Sequence, residues 1–130
     1  MISCYSCKKK DEPAKEEEKK TGKIELSFEH TVDNEKLQCD TLKYMNSSGN
    51  KYMVNEVQYF ISNVQLITAT KNHVLIDDWK TIHYIDTDIK ETQKWHVYDP
   101  IPIGYYDSIT FIFGLNEADN KSFIFANPLT

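Results

Sequence analysis

The fold is decided by residues 51–70, which read KYMVNEVQYFISNVQLITAT. This stretch is dense in β-branched and aromatic residues, which favour strands, and it contains neither Gly nor Pro. Ser62 and Asn63 interrupt the apolar run, so we expect two strands, one ending near Phe60 and one spanning 64–70. A helix over 54–60 is the alternative interpretation of the same pattern.

Alternating apolar and polar residues predict further strands on both sides of this stretch. Residues 24–31 place four side chains on one face, namely Ile24, Leu26, Phe28 and His30. Short apolar runs follow at 74–76, 82–85 and 95–98, and a strand at 106–113 has one mostly apolar face. This spacing is typical of an antiparallel β-sandwich. We expect one all-β domain over residues 23–130 that is C-terminally incomplete, because one more strand starts at 123–125 and no closing element follows it.

The charge of the chain excludes several classes of partner. All fifteen basic residues are Lys, so the chain lacks the Arg side chain that most often contacts guanine edges and phosphates. Residues 24–130 hold eight Lys against fifteen acidic residues, a net charge of −7. A surface of this sign repels polyanions and tolerates cations. We therefore expect no nucleic-acid partner, and metal ions remain open.

The N-terminal residues 1–22 differ in composition from the rest. They begin MISCYSC and continue in Lys, Glu and Ala, a composition typical of a solvated linker that does not fold alone. The order of apolar residue, small residue and Cys that ends at Cys4 resembles a bacterial lipobox, so we expect a lipid on Cys4. Cys7 is the competing anchor, because its context resembles the start of many lipoproteins of the Bacteroidetes group. No apolar run approaches the roughly 20 residues of a membrane-spanning helix, so we expect membrane contact only through the lipid anchor.

Four His are the candidate metal ligands, and no two have the close spacing of a helical zinc site. His30 lies at the end of an apolar face, where it is either a ligand or a core imidazole with its polar edge at the rim. The same two interpretations apply to His83. His73 has the context of an exposed loop, and His96 that of rim packing beside a Trp.

Other site chemistry finds little support. The acidic pairs Asp77-Asp78 and Asp86-x-Asp88 lack the alternating oxygen ligands and the Gly of a calcium loop, so we expect solvated strand ends. There is no nucleophile motif, phosphate-binding Gly loop or Cys beside a plausible base. We therefore expect that the protein is not an enzyme.

Six segments share a common resemblance, and the block YFISN at 59–63 is the most specific part of it. The segments are 27–30, 40–44, 49–66, 82–88, 105–114 and 120–122. Together they resemble the MbnP-like family of exported copper-binding proteins, over about residues 23–128. The resemblance implies an all-β sandwich, a periplasmic or outer-membrane location, and copper acquisition, storage or handling.

The resemblance also implies a mononuclear copper site with imidazole ligands. His30 and His83 match positions where similar members have His, and His96 does not. A third ligand is expected in the C-terminal segment with which the family usually continues. The resemblance implies a diheme peroxidase-like partner, which oxidises a Trp in the best-known members. Neither Trp79 nor Trp95 is identified as the counterpart of that Trp. The alternative function is a cell-surface interaction module in which the His are structural and no metal binds.

Overall fold

The computed structural model describes residues 20–122, which contain twelve β-strands and two short 3-10 helices. The strands are β1 (Thr21–Gly22), β2 (Glu25–Ser27), β3 (Thr31–Val32), β4 (Glu35–Lys36), β5 (Tyr44–Met45), β6 (Lys51–Tyr52), β7 (Gln58–Thr68), β8 (His73–Leu75), β9 (Ile82–Asp86), β10 (Lys94–His96), β11 (Ile101–Pro102) and β12 (Tyr106–Phe113). The 3-10 helices span Asp78–Lys80 and Lys90–Gln93. Every strand pairing is antiparallel among these residues, which confirms the predicted all-β fold. No helix within them is long and apolar enough to cross a membrane.

The long strand β7 is the centre of the largest sheet. One of its edges pairs with β12, and the other pairs with β9 over its first half and with β8 over its second half. The junction between the halves is Asn63, whose φ of 52° is in the left-handed region that Asn tolerates. The sequence therefore located the bend correctly, but the expectation of two strands was wrong. The strand continues through the bend because both of its edges are paired.

A second layer packs on one face of this sheet. In it, β2 pairs with β10, and Leu26 lies opposite Trp95. The predicted alternation of residues 24–30 is confirmed, because its apolar side packs against the core and its polar side is exposed. Pairing starts at Thr21, which lies opposite Pro102, so strand structure begins before the expected boundary at Lys23. The expectations for Cys4 and Cys7, for the linker up to residue 19 and for the strand at 123–125 lie outside the described residues.

The core lies between these two layers. Its buried members are Ile61, Val64, Leu66, Ile76, Ile85, Trp95, Val97 and Ile101. Burying one such aliphatic side chain stabilises a fold by about 1.5–3 kcal/mol. In contrast, the apolar side chains of β12 are exposed in the described structure, Phe113 by 71%, although Ile109 lies opposite Leu66 and Phe113 opposite Ile61 on the face of the sheet that carries the core.

A buried carboxylate joins the two layers. Asp77 is 1% exposed and adopts a left-handed backbone conformation with φ of 46°. Its Oδ2 accepts a hydrogen bond from the indole N–H of Trp95 at 2.8 Å, and its Oδ1 accepts from the backbone N–H groups of Tyr98 and Asp99, both at 2.9 Å. The expectation that Asp77-Asp78 is a solvated strand end was therefore wrong for Asp77, whose three donors compensate for the loss of water.

We expect Asp77→Ala to lower the free energy of unfolding by about 2–4 kcal/mol, because it leaves three N–H donors without an acceptor in the interior. Urea denaturation followed by Trp fluorescence measures the change. Asp78→Ala is the matched control, since Asp78 is exposed. Equal stability of the two variants would contradict the structural role of Asp77.

Candidate metal site

His83 is held between two aromatic rings where the layers meet. It lies on β9 opposite Ile61, and its ring stacks on Trp95 with centroids 4.8 Å apart and planes 9° apart. Phe28 stacks on it as well, at 5.8 Å and 20°. Stacking of this kind restricts the imidazole to one orientation. The His83 ring is therefore held in one position before a metal ion binds.

A backbone carbonyl determines which nitrogen of His83 can bind a metal. Nε2 lies 2.7 Å from the carbonyl oxygen of Thr92, and because a carbonyl only accepts, Nε2 carries the proton and donates it. The lone pair of the neutral ring is then on Nδ1. The Thr92 hydroxyl is itself anchored, accepting from the Asp86 N–H at 2.9 Å. An imidazole N–H donated to a carbonyl is the usual way in which proteins orient a metal-binding His.

The environment of His83 also favours the neutral form. Burial is the largest influence and lowers the pKa of His83, and the nearby Lys80 ammonium lowers it further. The hydrogen bond to Thr92 acts in the opposite direction without reversing the shift. A neutral imidazole is the form that binds metal ions. His83 lines a cleft of about 210 Å³, together with His96 and Glu91.

His30 has a different partner. Its Nε2 lies 2.9 Å from the hydroxyl of Tyr59, and the two rings meet edge to face at 5.6 Å. Burial raises the pKa of Tyr59, so this phenol keeps its proton at neutral pH. His30 is half-buried and lines a larger cleft of about 550 Å³. Nδ1 of His30 is the nitrogen that Tyr59 does not engage.

The structure places His30 and His83 at the same layer interface but in different clefts. Tyr59 and His83 share a face of the β7–β9 sheet, and His30 contacts Tyr59 as Phe28 contacts His83. Within residues 20–122, neither His belongs to a group of three metal-binding side chains with clustered donor atoms. That the two imidazoles share one ion remains a prediction.

The remaining two His are exposed. Nδ1 of His96 lies 2.8 Å from a carboxylate oxygen of Glu25, at the rim as the sequence suggested. His73 is exposed as expected, although it begins strand β8 and does not lie in a loop, and its Nδ1 is 2.7 Å from the side-chain oxygen of Gln65.

One group of three acidic side chains does form, from Glu56, Asp86 and Asp88. Asp86 is fully buried, and its carboxylate accepts from the Tyr84 hydroxyl at 2.7 Å and from the Asp88 N–H at 2.8 Å. Burial opposes ionisation of Asp86, but these hydrogen bonds outweigh it and the pKa of Asp86 is lowered. Burial and the same hydrogen bond raise the pKa of Tyr84 to about 12. The Asp86 carboxylate is therefore held inside the fold by hydrogen bonds. The expectation of a solvated strand end was wrong for Asp86.

These observations define the class of protein, which is an antiparallel β-sandwich with oriented imidazoles at surface clefts. The MbnP family model matches residues 21–130. The chain therefore belongs to the MbnP family. No curated protein and no solved structure gives a significant match to it.

Sequence reasoning missed the residues that orient the candidate ligand. The Thr92 carbonyl has no sequence signal, because a backbone acceptor is present at every position. The role of Asp86 had one: an Asp whose side chain bonds the N–H two residues later is an Asx turn, and Asp86-Thr87-Asp88 has that spacing. The stacking of Trp95 on His83 joins residues from different strands, so no local pattern indicates it.

We expect His83 to titrate below the ordinary value of 6.5 and to be protonated on Nε2 when neutral. Because its pKa is lower in the folded than in the unfolded chain, the unfolded chain takes up the proton first, and stability falls as pH drops below about 6.5. Long-range ¹H–¹⁵N spectra report both the midpoint and the tautomer. A midpoint above 6.5, or a neutral ring protonated on Nδ1, would contradict the geometry. In His83→Gln this part of the pH dependence of stability should be absent.

Proposed function

We propose that this protein binds copper and serves in copper acquisition, storage or handling outside the cytoplasm. The observation that carries the proposal is the His83 imidazole, which Phe28 and Trp95 clamp and whose Nε2–H is donated to Thr92. That arrangement leaves a neutral nitrogen donor beside a cleft. Membership of the MbnP family, which sequence resemblance associates with copper, supports the same function.

Copper is the metal that suits this set of donors. Imidazole nitrogen binds copper and zinc well, whereas calcium and magnesium prefer oxygen ligands. Copper(II) generally binds nitrogen ligands more tightly than the other divalent first-row metals do. The acidic surface, with a net charge of −7 over residues 24–130, also attracts cations. We propose His83 and His30 as the ligands, and a binding role without catalysis.

We expect His30→Ala and His83→Ala each to weaken copper binding by at least about tenfold, the smallest loss usual even for an outer-shell partner of a metal ligand. Equilibrium dialysis against Cu(II), with bound copper measured per chain, provides the affinity. His73→Ala is the matched control, because His73 is exposed and bonded to Gln65. If both cleft variants bind copper like the parent protein, the ligand assignment is wrong.

A second candidate function is a protein-interaction module at the cell surface that binds no metal. The exposed apolar side chains Ile109, Phe111 and Phe113 favour it, since they lie on β12, at the edge of the largest sheet among the described residues. Clustered exposed apolar side chains are typical of interaction surfaces. The two functions differ in the dialysis experiment, because the module would bind no copper in any variant.

We also propose a location in the periplasm or at the outer membrane, with a lipid anchor on Cys4 and Cys7 as the alternative. The support is the lipobox-like order of residues before Cys4 and the charged tether after it. A diheme peroxidase-like protein is the proposed partner, on the family resemblance alone.

We expect labelled palmitate to be incorporated at Cys4 when the chain is expressed behind a complete export signal. Incorporation should be lost in the Cys4→Ser variant and retained in the Cys7→Ser variant, because the lipobox order ends at Cys4. Loss only in Cys7→Ser would move the anchor to Cys7. Labelling that persists when both are replaced would refute lipidation at this N-terminus.

A further inference from the structure

A tight hairpin brings a thiol into the cleft of His30. Strands β3 and β4 are joined by Asp33 and Asn34, whose φ values of 51° and 64° are those of a two-residue type I′ turn. The pairing continues past the named strands, because the Leu37 N–H donates to the His30 carbonyl at 2.8 Å. Leu37 is therefore the cross-strand neighbour of His30.

Cys39 lies two residues beyond Leu37, in the turn that follows the hairpin. Leu37 and Cys39 are both half-buried and line the cleft, whereas Gln38 between them is exposed. His30 and Cys39 therefore line the same cleft of about 550 Å³. The Cys39 thiol points at the cleft wall, 3.9 Å from the Thr87 hydroxyl.

We propose that Cys39 and His30 together bind a soft monovalent ion, with Cu(I) as the natural one. Thiolate sulfur is the side-chain donor that selects Cu(I), and imidazole is its usual companion. On binding, the S–H bond breaks, a sulfur–copper bond forms and the proton passes to solvent, with no change in the oxidation state of copper. Tyr59 engages Nε2 of His30, so Nδ1 is the donor nitrogen.

The charges around the cleft distinguish Cu(I) from hard divalent cations. Its lining includes Lys36, Lys90 and Lys94 against one carboxylate, Glu29, and Lys94 is itself paired with Glu25 at 3.2 Å. The remaining positive excess repels Ca²⁺ or Mg²⁺. A complex of Cu(I), one thiolate and one neutral imidazole has no net charge, so the ammonium groups do not oppose it. The inference rests on the proposed copper function, to which it adds an oxidation state and Cys39 as a ligand.

The test uses the full chain carrying Cys4→Ser and Cys7→Ser, so that Cys39 is the only thiol. Cu(I) affinity is measured without oxygen by competition with bicinchoninate. We expect Cys39→Ser and His30→Ala each to weaken Cu(I) binding by at least about tenfold. His73→Ala should keep the parent affinity, because His73 lies outside this cleft and is bonded to Gln65. Parent affinity in Cys39→Ser overturns the proposal.

Alkylation of Cys39 by iodoacetamide, located by peptide mass spectrometry, provides a second readout. Cu(I) should protect the thiol in the parent and protect it less in His30→Ala. Equal protection in both would mean that the thiol binds copper without the imidazole, and the pair would be refuted. If His83→Ala loses Cu(II) while Cys39→Ser keeps Cu(I) affinity, this inference alone fails. If no variant responds to Cu(II) but Cu(I) binding needs Cys39 and His30, the His30–His83 assignment fails and this inference stands.

Discussion

The arrangement of this protein depends on the buried indole of Trp95. Its N–H is bonded to the Asp77 carboxylate, its face stacks on His83, and its backbone pairs with Leu26. A single side chain thus connects the outer layer, the loop after β8 and the strand that carries the candidate ligand. A buried indole needs apolar neighbours for its large surface and an acceptor for its one N–H group. Both requirements restrict the position of Trp95.

Two buried carboxylates organise the parts of the chain around that indole. Asp77 holds the backbone at Tyr98 and Asp99, and the Asp86 carboxylate holds the turn that runs from Asp86 to Asp88. Burying a carboxylate is costly unless donors replace the lost water, and here each has at least three. The backbone of Asp86 also anchors Thr92, whose carbonyl orients His83. Fold stability and the geometry of the candidate site are therefore linked through the same turn.

The two imidazoles that are candidate metal ligands lie in clefts with different surroundings. His83 is stacked, desolvated and oriented by a carbonyl, so its donor nitrogen is defined. His30 is bonded to a phenol and shares its cleft with a thiol and several ammonium groups. A rigid nitrogen donor suits either oxidation state of copper, whereas a cleft with sulfur and positive charge favours the monovalent ion. The two clefts thus differ in their donor groups and charge although they lie at one layer interface.

Much of the fold followed from the sequence because strand formation has a local signal. The alternation at Ile24–His30 and the β-branched run around Tyr59 predicted the strands, and the YFISN block indicated the family. The sequence also identified His30 and His83 as candidates. Sequence could not show that Asp77 and Asp86 are buried, since an acidic residue in a polar stretch has the same local pattern whether or not donors surround it.

What only the tertiary structure decided is which groups meet. The continuity of β7 through Asn63 depends on pairing at both edges, and the tautomer of His83 depends on a carbonyl nine residues away in sequence. The presence of His30 and Cys39 in one cleft depends on the hairpin of β3 and β4, whose two turn residues have positive φ. Sequence alone thus determined the strand pattern, the sign of the charge and the family, because these are properties of local residue types. The three-dimensional fold determined the donors and acceptors of the site, because those contacts join residues that have no local relation to each other.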